Sequence, residues 1–106
     1  MRADEVVALF WERIQARDWA GVHALLAPGV VLEYPATGER FEGADAVVAI
    51  NREYPEGWSI HVHRVVIGPD GDSVVSEVEV TQDGVGTFAA ASFWQVRDGV
   101  ITAGRE

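Results

Sequence analysis

Val6, Leu9, Phe10 and Ile14 recur three and four residues apart, which predicts a first helix with one apolar stripe. Asp4 is placed to cap that helix, and Glu5 suits its positive end. Arg13 and Arg17 suit its last turn. Asp18 is placed to cap a second, short helix on which Trp19, Val22, Leu25 and Leu26 share a side, and Pro28-Gly29 ends it. Val30 to Tyr34 is a β-rich run closed by Pro35. Thr37-Gly38-Glu39-Arg40 reads as a turn, and Phe41-Glu42-Gly43 leads into a third helix over about Ala44 to Tyr54. Ala46, Val47 and Ile50 give that helix its buried side, and Pro55-Glu56-Gly57 stops it.

From Trp58 the period changes from helical to two. Strands are expected over Trp58–Ile67, Ser73–Thr81, Val85–Val96 and Val100–Glu106. Gly68-Pro69-Asp70-Gly71-Asp72, Gln82-Asp83-Gly84 and Arg97-Asp98-Gly99 join them with the turn chemistry of antiparallel hairpins. The order α-α-β-α-β-β-β-β puts helices first and a strand meander after, an α+β arrangement with helices on one sheet face. No repeat, linker or low-complexity tract interrupts it.

The length of 106 residues fits one domain, and 48% hydrophobic residues suffice for a core. The net charge of −9 argues against nucleic acid and against an anionic membrane surface. The eight basic residues are all Arg and are scattered singly, so they form no phosphate-binding stripe. The lack of cysteine excludes disulfides, a thiol nucleophile and thiolate metal ligands. The start, Met1-Arg2-Ala3-Asp4-Glu5, has no signal-peptide pattern, and no apolar run approaches the roughly 18 residues of a membrane span. A cytoplasmic location is the expectation.

Phe10 through Pro35, the Gly38-Glu39-Arg40-Phe41-Glu42-Gly43 approach to the third helix, and Ser92-Phe93-Trp94-Gln95-Val96-Arg97-Asp98-Gly99-Val100-Ile101 together resemble the nuclear transport factor 2-like superfamily, within it the SnoaL-like group. The resemblance covers nearly the whole chain, and the joint spacing carries it rather than any one motif. It implies a cone-like α+β barrel, a curved and mostly antiparallel sheet wrapped on three N-terminal helices around a pocket. It also implies a homodimer through the outer sheet face. The chain stops at Glu106, where the family's last strand usually continues, so either a truncated strand or a short member is expected.

The group includes ketosteroid isomerases, limonene-type epoxide hydrolases and polyketide cyclases, so the residues must decide between them. By comparison with the isomerases, the helix-one tyrosine falls on Phe10, the base on Tyr34 and the oxyanion aspartate on Ala91. That chemistry has neither acceptor nor donors here. By comparison with the epoxide hydrolases, the Arg-x-Asp pair falls on Val78 and Val80, and the last-strand aspartate on Glu106. One carboxylate of three remains.

The resemblance therefore implies a mostly apolar pocket with Glu106 and Tyr34 as catalytic candidates and Phe10, Ile14, Asn51, Val78 and Ala91 as substrate-binding candidates. Of Glu33 and Tyr34 only one can face inward. Val30 and Leu32 share the parity of Tyr34, which favours Tyr34 inside and Glu33 outside. His61, His63, Glu77 and Glu79 are expected on one sheet face, with His61 opposite Glu79 and His63 opposite Glu77. Cross-strand pairs or a dimer seam explain that cluster more economically than zinc. His23 has no nucleophile placed for it. No metal or cofactor is expected. The reading is a small apolar molecule bound in the cone, with or without acid–base chemistry; the alternative is a non-catalytic binding or dimerisation module whose pocket is filled.

Overall fold

The computed structural model describes all residues, 1–106. Helix α1 spans Ala3–Gln15, α2 spans Trp19–His23 and α3 spans Ala44–Arg52. The strands are β1 Leu26–Tyr34, β2 Glu39–Glu42, β3 Trp58–Ile67, β4 Ser73–Gln82, β5 Gly86–Arg97 and β6 Val100–Arg105. They form one curved sheet in the order β2-β1-β6-β5-β4-β3, antiparallel throughout except for the parallel β1–β6 pair. The α+β architecture expected from the strand and helix order is the one observed.

Helix α1 buries Val6, Val7, Phe10, Trp11 and Ile14. It lies across the concave face against β3, β4, β5 and β6, while α3 packs on β1 and β2. The apolar stripe thus meets the inward-facing residues Val74, Val78, Trp94, Val96 and Ile101, all almost fully buried. The core also holds a polar knot. Ser76 Oγ accepts the indole N–H of Trp11 at 3.0 Å and that of Trp94 at 2.8 Å. One small hydroxyl therefore satisfies two buried donors that would otherwise oppose folding. Trp94 sits directly across from Gly104, and a methyl at Gly104 would lie 2.5 Å from its ring. Only glycine allows β6 to run under that indole.

Four local details differ from the sequence expectation. Helix α1 starts at Ala3, so Asp4 lies in its first turn; Glu5 Oε1 instead accepts the Arg2 backbone N–H at 2.9 Å. Asp18 does cap α2, accepting from the Gly21 N–H at 2.9 Å, but α2 ends at His23. Leu26 already belongs to β1, and Pro28-Gly29 lies inside the strand, within a register shift between Leu26 and Val31. A proline lacks a ladder donor, and such an irregularity is where a strand tolerates one. Glu39–Glu42 is a short edge strand paired with β1 rather than the rest of a turn. The Asp98-Gly99 hairpin forms as expected, both residues taking positive φ of 53° and 79°. No helix is long and apolar enough to cross a membrane.

Candidate functional site

Between α1, α3 and the concave sheet face lies a cavity of about 280 Å³. Its walls are Trp11 and Ile14 from α1, Ile50 and Asn51 from α3, Tyr54 and Trp58 around the following turn, Ile60 on β3, Val78 and Val80 on β4, Phe88 and Ala90 on β5, with Tyr34 and Glu106. Eleven of these thirteen are hydrophobic or aromatic, and Asn51 and Glu106 are the exceptions. Tyr54 and Phe88 are about half exposed, so the cavity opens to solvent between α3 and the β4–β5 side of the sheet.

Glu106 is held by its main chain. Its N–H donates to the Glu33 carbonyl at 3.0 Å, extending the β1–β6 pairing by one residue. The half-buried side chain therefore has a fixed origin on the cavity wall and is not frayed into solvent. Burial alone pushes its carboxyl up to about 7, because apolar neighbours disfavour the charged form and no cation stands against it. Tyr34 is on the neighbouring strand, its ring edge-on to Phe41 at 5.2 Å. Burial raises the Tyr34 phenol well above its usual range, and the charges of Glu106 and Glu39 raise it further. The phenol remains a hydrogen-bond donor at any neutral pH. A carboxyl that titrates near neutrality beside a phenol that does not can accept or give a proton while the phenol holds an acceptor atom.

Asn51 lines the cavity with its amide nitrogen committed to the Val47 carbonyl at 2.8 Å, which leaves its oxygen as an acceptor. Ile14, Val78 and Tyr34 are also on the wall, and Glu33 points away toward Arg40, 4.0 Å distant.

Two expected pocket residues lie elsewhere. Phe10 is enclosed in the core, its ring 5.2 Å from both Trp11 and Trp94. Ala91 faces the outer side of the sheet, where it borders a surface groove with Pro35, Phe93, Arg105 and the terminal residue Glu106, which lines both this groove and the cavity. Its neighbour Ala90 takes the inward position, because β5 keeps one parity with the buried Ser92, Trp94 and Val96. That buried parity at Trp94 and Val96 was the available signal. The aromatic walls Trp58, Tyr54 and Phe88 carry no spacing that marks them in the sequence as lining residues.

The outer-face cluster is also rearranged. His61 opposes Glu79 in register, but a bulge between Val62 and Arg64 shifts the strand by one. His63 Nε2 consequently meets Glu79 at 2.8 Å, and Arg64, not His63, faces Glu77 at 3.3 Å. No group of three or more potential metal-ligating side chains is gathered anywhere in the fold. His23 pairs with Asp45 at 2.9 Å on the surface, tying α2 to α3.

The geometry has close counterparts among solved structures. A candidate ketosteroid isomerase from Kribbella flavida DSM 17836 superposes with a TM-score of 0.91 at 28% identity, over 97% of this chain and 74% of that one. An LEH-like epoxide hydrolase from M. tuberculosis gives a TM-score of 0.80 at 26% identity, over 97% and 79%. A candidate polyketide cyclase from Xanthomonas campestris pv. campestris shares the fold, with a TM-score of 0.75 at 24% identity, over 99% and 90%. No functionally curated protein matches the chain. A model of the SnoaL-like domain matches residues 7–104, nearly the whole sequence, and the protein therefore belongs to the SnoaL-like domain family.

Proposed function

We propose that this protein binds a small, largely apolar molecule in the cavity and moves a proton on it through Glu106, with the Tyr34 phenol as a hydrogen-bond donor. The observation that carries the reading is one carboxyl, pushed up to about 7 by burial, on a wall where Asn51 is the only other residue that is neither hydrophobic nor aromatic. A desolvated acid of that kind costs stability and finds its use where protons move at neutral pH. Relatives described as isomerase, epoxide hydrolase and cyclase are compatible with acid–base work in the same hollow. Neither the isomerase triad nor the hydrolase Arg-x-Asp pair has counterparts at the compared positions. The reaction is accordingly proposed only as proton transfer.

The open cavity speaks against an interior filled by the protein's own side chains. A non-catalytic binding role is separated from the catalytic one by Glu106→Gln. A thermal-shift screen of apolar small molecules against the wild type, Glu106→Gln and Ala90→Trp tests the reading, since a ligand of the folded state raises apparent stability. Hits that stabilise the wild type and fail with Ala90→Trp support the site. Turnover lost in Glu106→Gln with binding retained supports the proton transfer; no hit against the wild type contradicts both.

The proposal extends to assembly as a homodimer through the outer sheet face. Val66, Val75 and Phe93 are register partners on β3, β4 and β5, forming an exposed apolar row across three strands, with Arg105 next in line. Such a row is favourable to cover with a symmetry mate.

A further inference from the structure

The cavity wall carries a carboxyl and no cation. Its residues include Glu106 but no Arg, Lys or His. None of the ion pairs in the chain takes in Glu106. Arg105, its neighbour in sequence, lines the outer groove and not the cavity. Arg17 touches one wall residue, stacking on Trp58 with Cζ 3.3 Å from the ring centroid, but Glu56 already matches its charge at 2.9 Å. An anionic ligand would therefore bring a second negative charge to a desolvated carboxyl, which is costly.

The free polar valences on the wall are mostly acceptors. Three side-chain polar atoms are sealed from solvent without a partner, on Trp58, Gln82 and Ser92, and none belongs to Glu106, Tyr34 or Asn51. The Glu106 carboxyl, the Tyr34 hydroxyl and Asn51 Oδ1 also lack partners within the chain, so they stay open to an incoming molecule. Asn51 Oδ1 only accepts, its amide nitrogen being committed to the Val47 carbonyl at 2.8 Å. An ionised carboxylate only accepts, and a phenol does either. Tyr34 lines the cavity and not the groove, and its phenol feels the Glu106 charge, so these two groups stand together at one end of the hollow. Five of the remaining contacts are aromatic, from Trp11, Tyr34, Tyr54, Trp58 and Phe88. Aromatic rings attract a cation placed over them, as Trp58 already does with Arg17.

We propose that the cavity takes an apolar amine, bound as its ammonium with the N–H directed at Glu106 and the hydrocarbon body among the aromatic side chains. This rests on the cavity being a ligand site with Glu106 on its wall. The ammonium supplies the countercharge that the wall lacks. It also holds Glu106 ionised, the state in which a carboxylate accepts a proton. The net charge of −9 draws a cation toward the protein and repels an anion. A neutral molecule of the same shape gains the apolar contacts alone.

The test compares N,N-dimethylphenethylamine, protonated at neutral pH, with isopentylbenzene, in which a carbon replaces the nitrogen at the same shape. Hydrocinnamate, a phenyl-chain anion, is the third probe. Binding is measured by equilibrium dialysis to the wild type and to Glu106→Gln. The amine is expected to bind the wild type about tenfold more tightly than the hydrocarbon, and Glu106→Gln is expected to erase that difference. Hydrocinnamate is expected to bind more weakly than either. In carbon-13 NMR of the wild type alone, saturating amine should lower the titration midpoint of the Glu106 carboxyl, and isopentylbenzene should not. This readout does not depend on the variant folding. Equal affinities for amine and hydrocarbon, or tighter binding of hydrocinnamate, would overturn the ammonium preference while leaving the cavity a ligand site. A preference for the amine that survives in Glu106→Gln, with an unmoved Glu106 midpoint in the wild type, would trace it to the overall negative charge and overturn the assignment to Glu106. If none of the three binds the wild type, the cavity reading fails, and this inference with it.

Discussion

The Glu106 N–H donates to the Glu33 carbonyl, and that 3.0 Å bond carries the parallel β1–β6 pairing one residue past the end of β6. It fixes where the carboxyl starts. The surrounding apolar side chains then decide how it titrates.

Stability should depend on pH through Glu106. The folded-state value of about 7 lies above the ordinary 4.5, so folding favours the protonated form. The associated stability is fully present below about pH 4.5 and is lost as pH rises through about 7. Relative to Glu106→Gln, the wild type should lose about 1–3 kcal/mol between pH 5 and pH 8. Urea unfolding at several pH values measures it, and parallel curves for the two proteins would show that the carboxyl is not desolvated.

Ser76→Ala should be costly for so small a change. It strands the indole N–H groups of Trp11 and Trp94 together in the core. A loss of about 2–4 kcal/mol is expected from denaturant unfolding. A loss below about 1 kcal/mol would mean that the two indoles find other acceptors.

Adjacent alanines on β5 should behave oppositely. Ala90→Trp projects into the cavity and should abolish binding of the apolar molecules that stabilise the wild type in a thermal-shift screen, at an overpacking cost of about 1–3 kcal/mol. Ala91→Trp projects from the outer face and should leave that binding unchanged. Calorimetry on both variants checks the parity directly, and the reverse pattern would place the cavity on the wrong side of the strand.

The apolar row on the outer face predicts the assembly. Phe93→Asp removes its most exposed member, 59% accessible, and sets a charge there. Sedimentation should show a dimer for the wild type at tens of micromolar and a monomer for the variant. A wild-type monomer would count against the outer-face interface.

Much of this fold was legible because its signals are local. The stripe Val6, Phe10, Ile14 specified α1, and Asp98-Gly99 specified a hairpin whose φ values only such residues adopt readily. What the sequence hid was tertiary. Pro28-Gly29 looks like a helix stop, yet parallel pairing with β6 draws it into β1. Glu39–Glu42 is too short and polar to show as a strand without its partner. At the site, Tyr34, Ile14, Asn51, Val78 and Glu106 reach the cavity wall. Ala91 does not, because Ala89-Ala90-Ala91 has no alternation of its own to set which residue faces in. Phe10 lies on the apolar stripe, but contact with Trp94, 84 residues later in the chain, decides that it fills the core and not the cavity wall. The His63–Glu79 pairing depends on a bulge that no local residue type announces.

Proton transfer at neutral pH from an apolar hollow is the centre of the account, and the titration of Glu106 tests it most directly. Carbon-13 NMR of the side-chain carboxyls, with Glu106→Gln to identify the signal, should give a midpoint near 7 for Glu106. A midpoint near the ordinary 4.5 would mean a solvated carboxylate, unsuited to exchange protons at neutral pH, and would contradict the account.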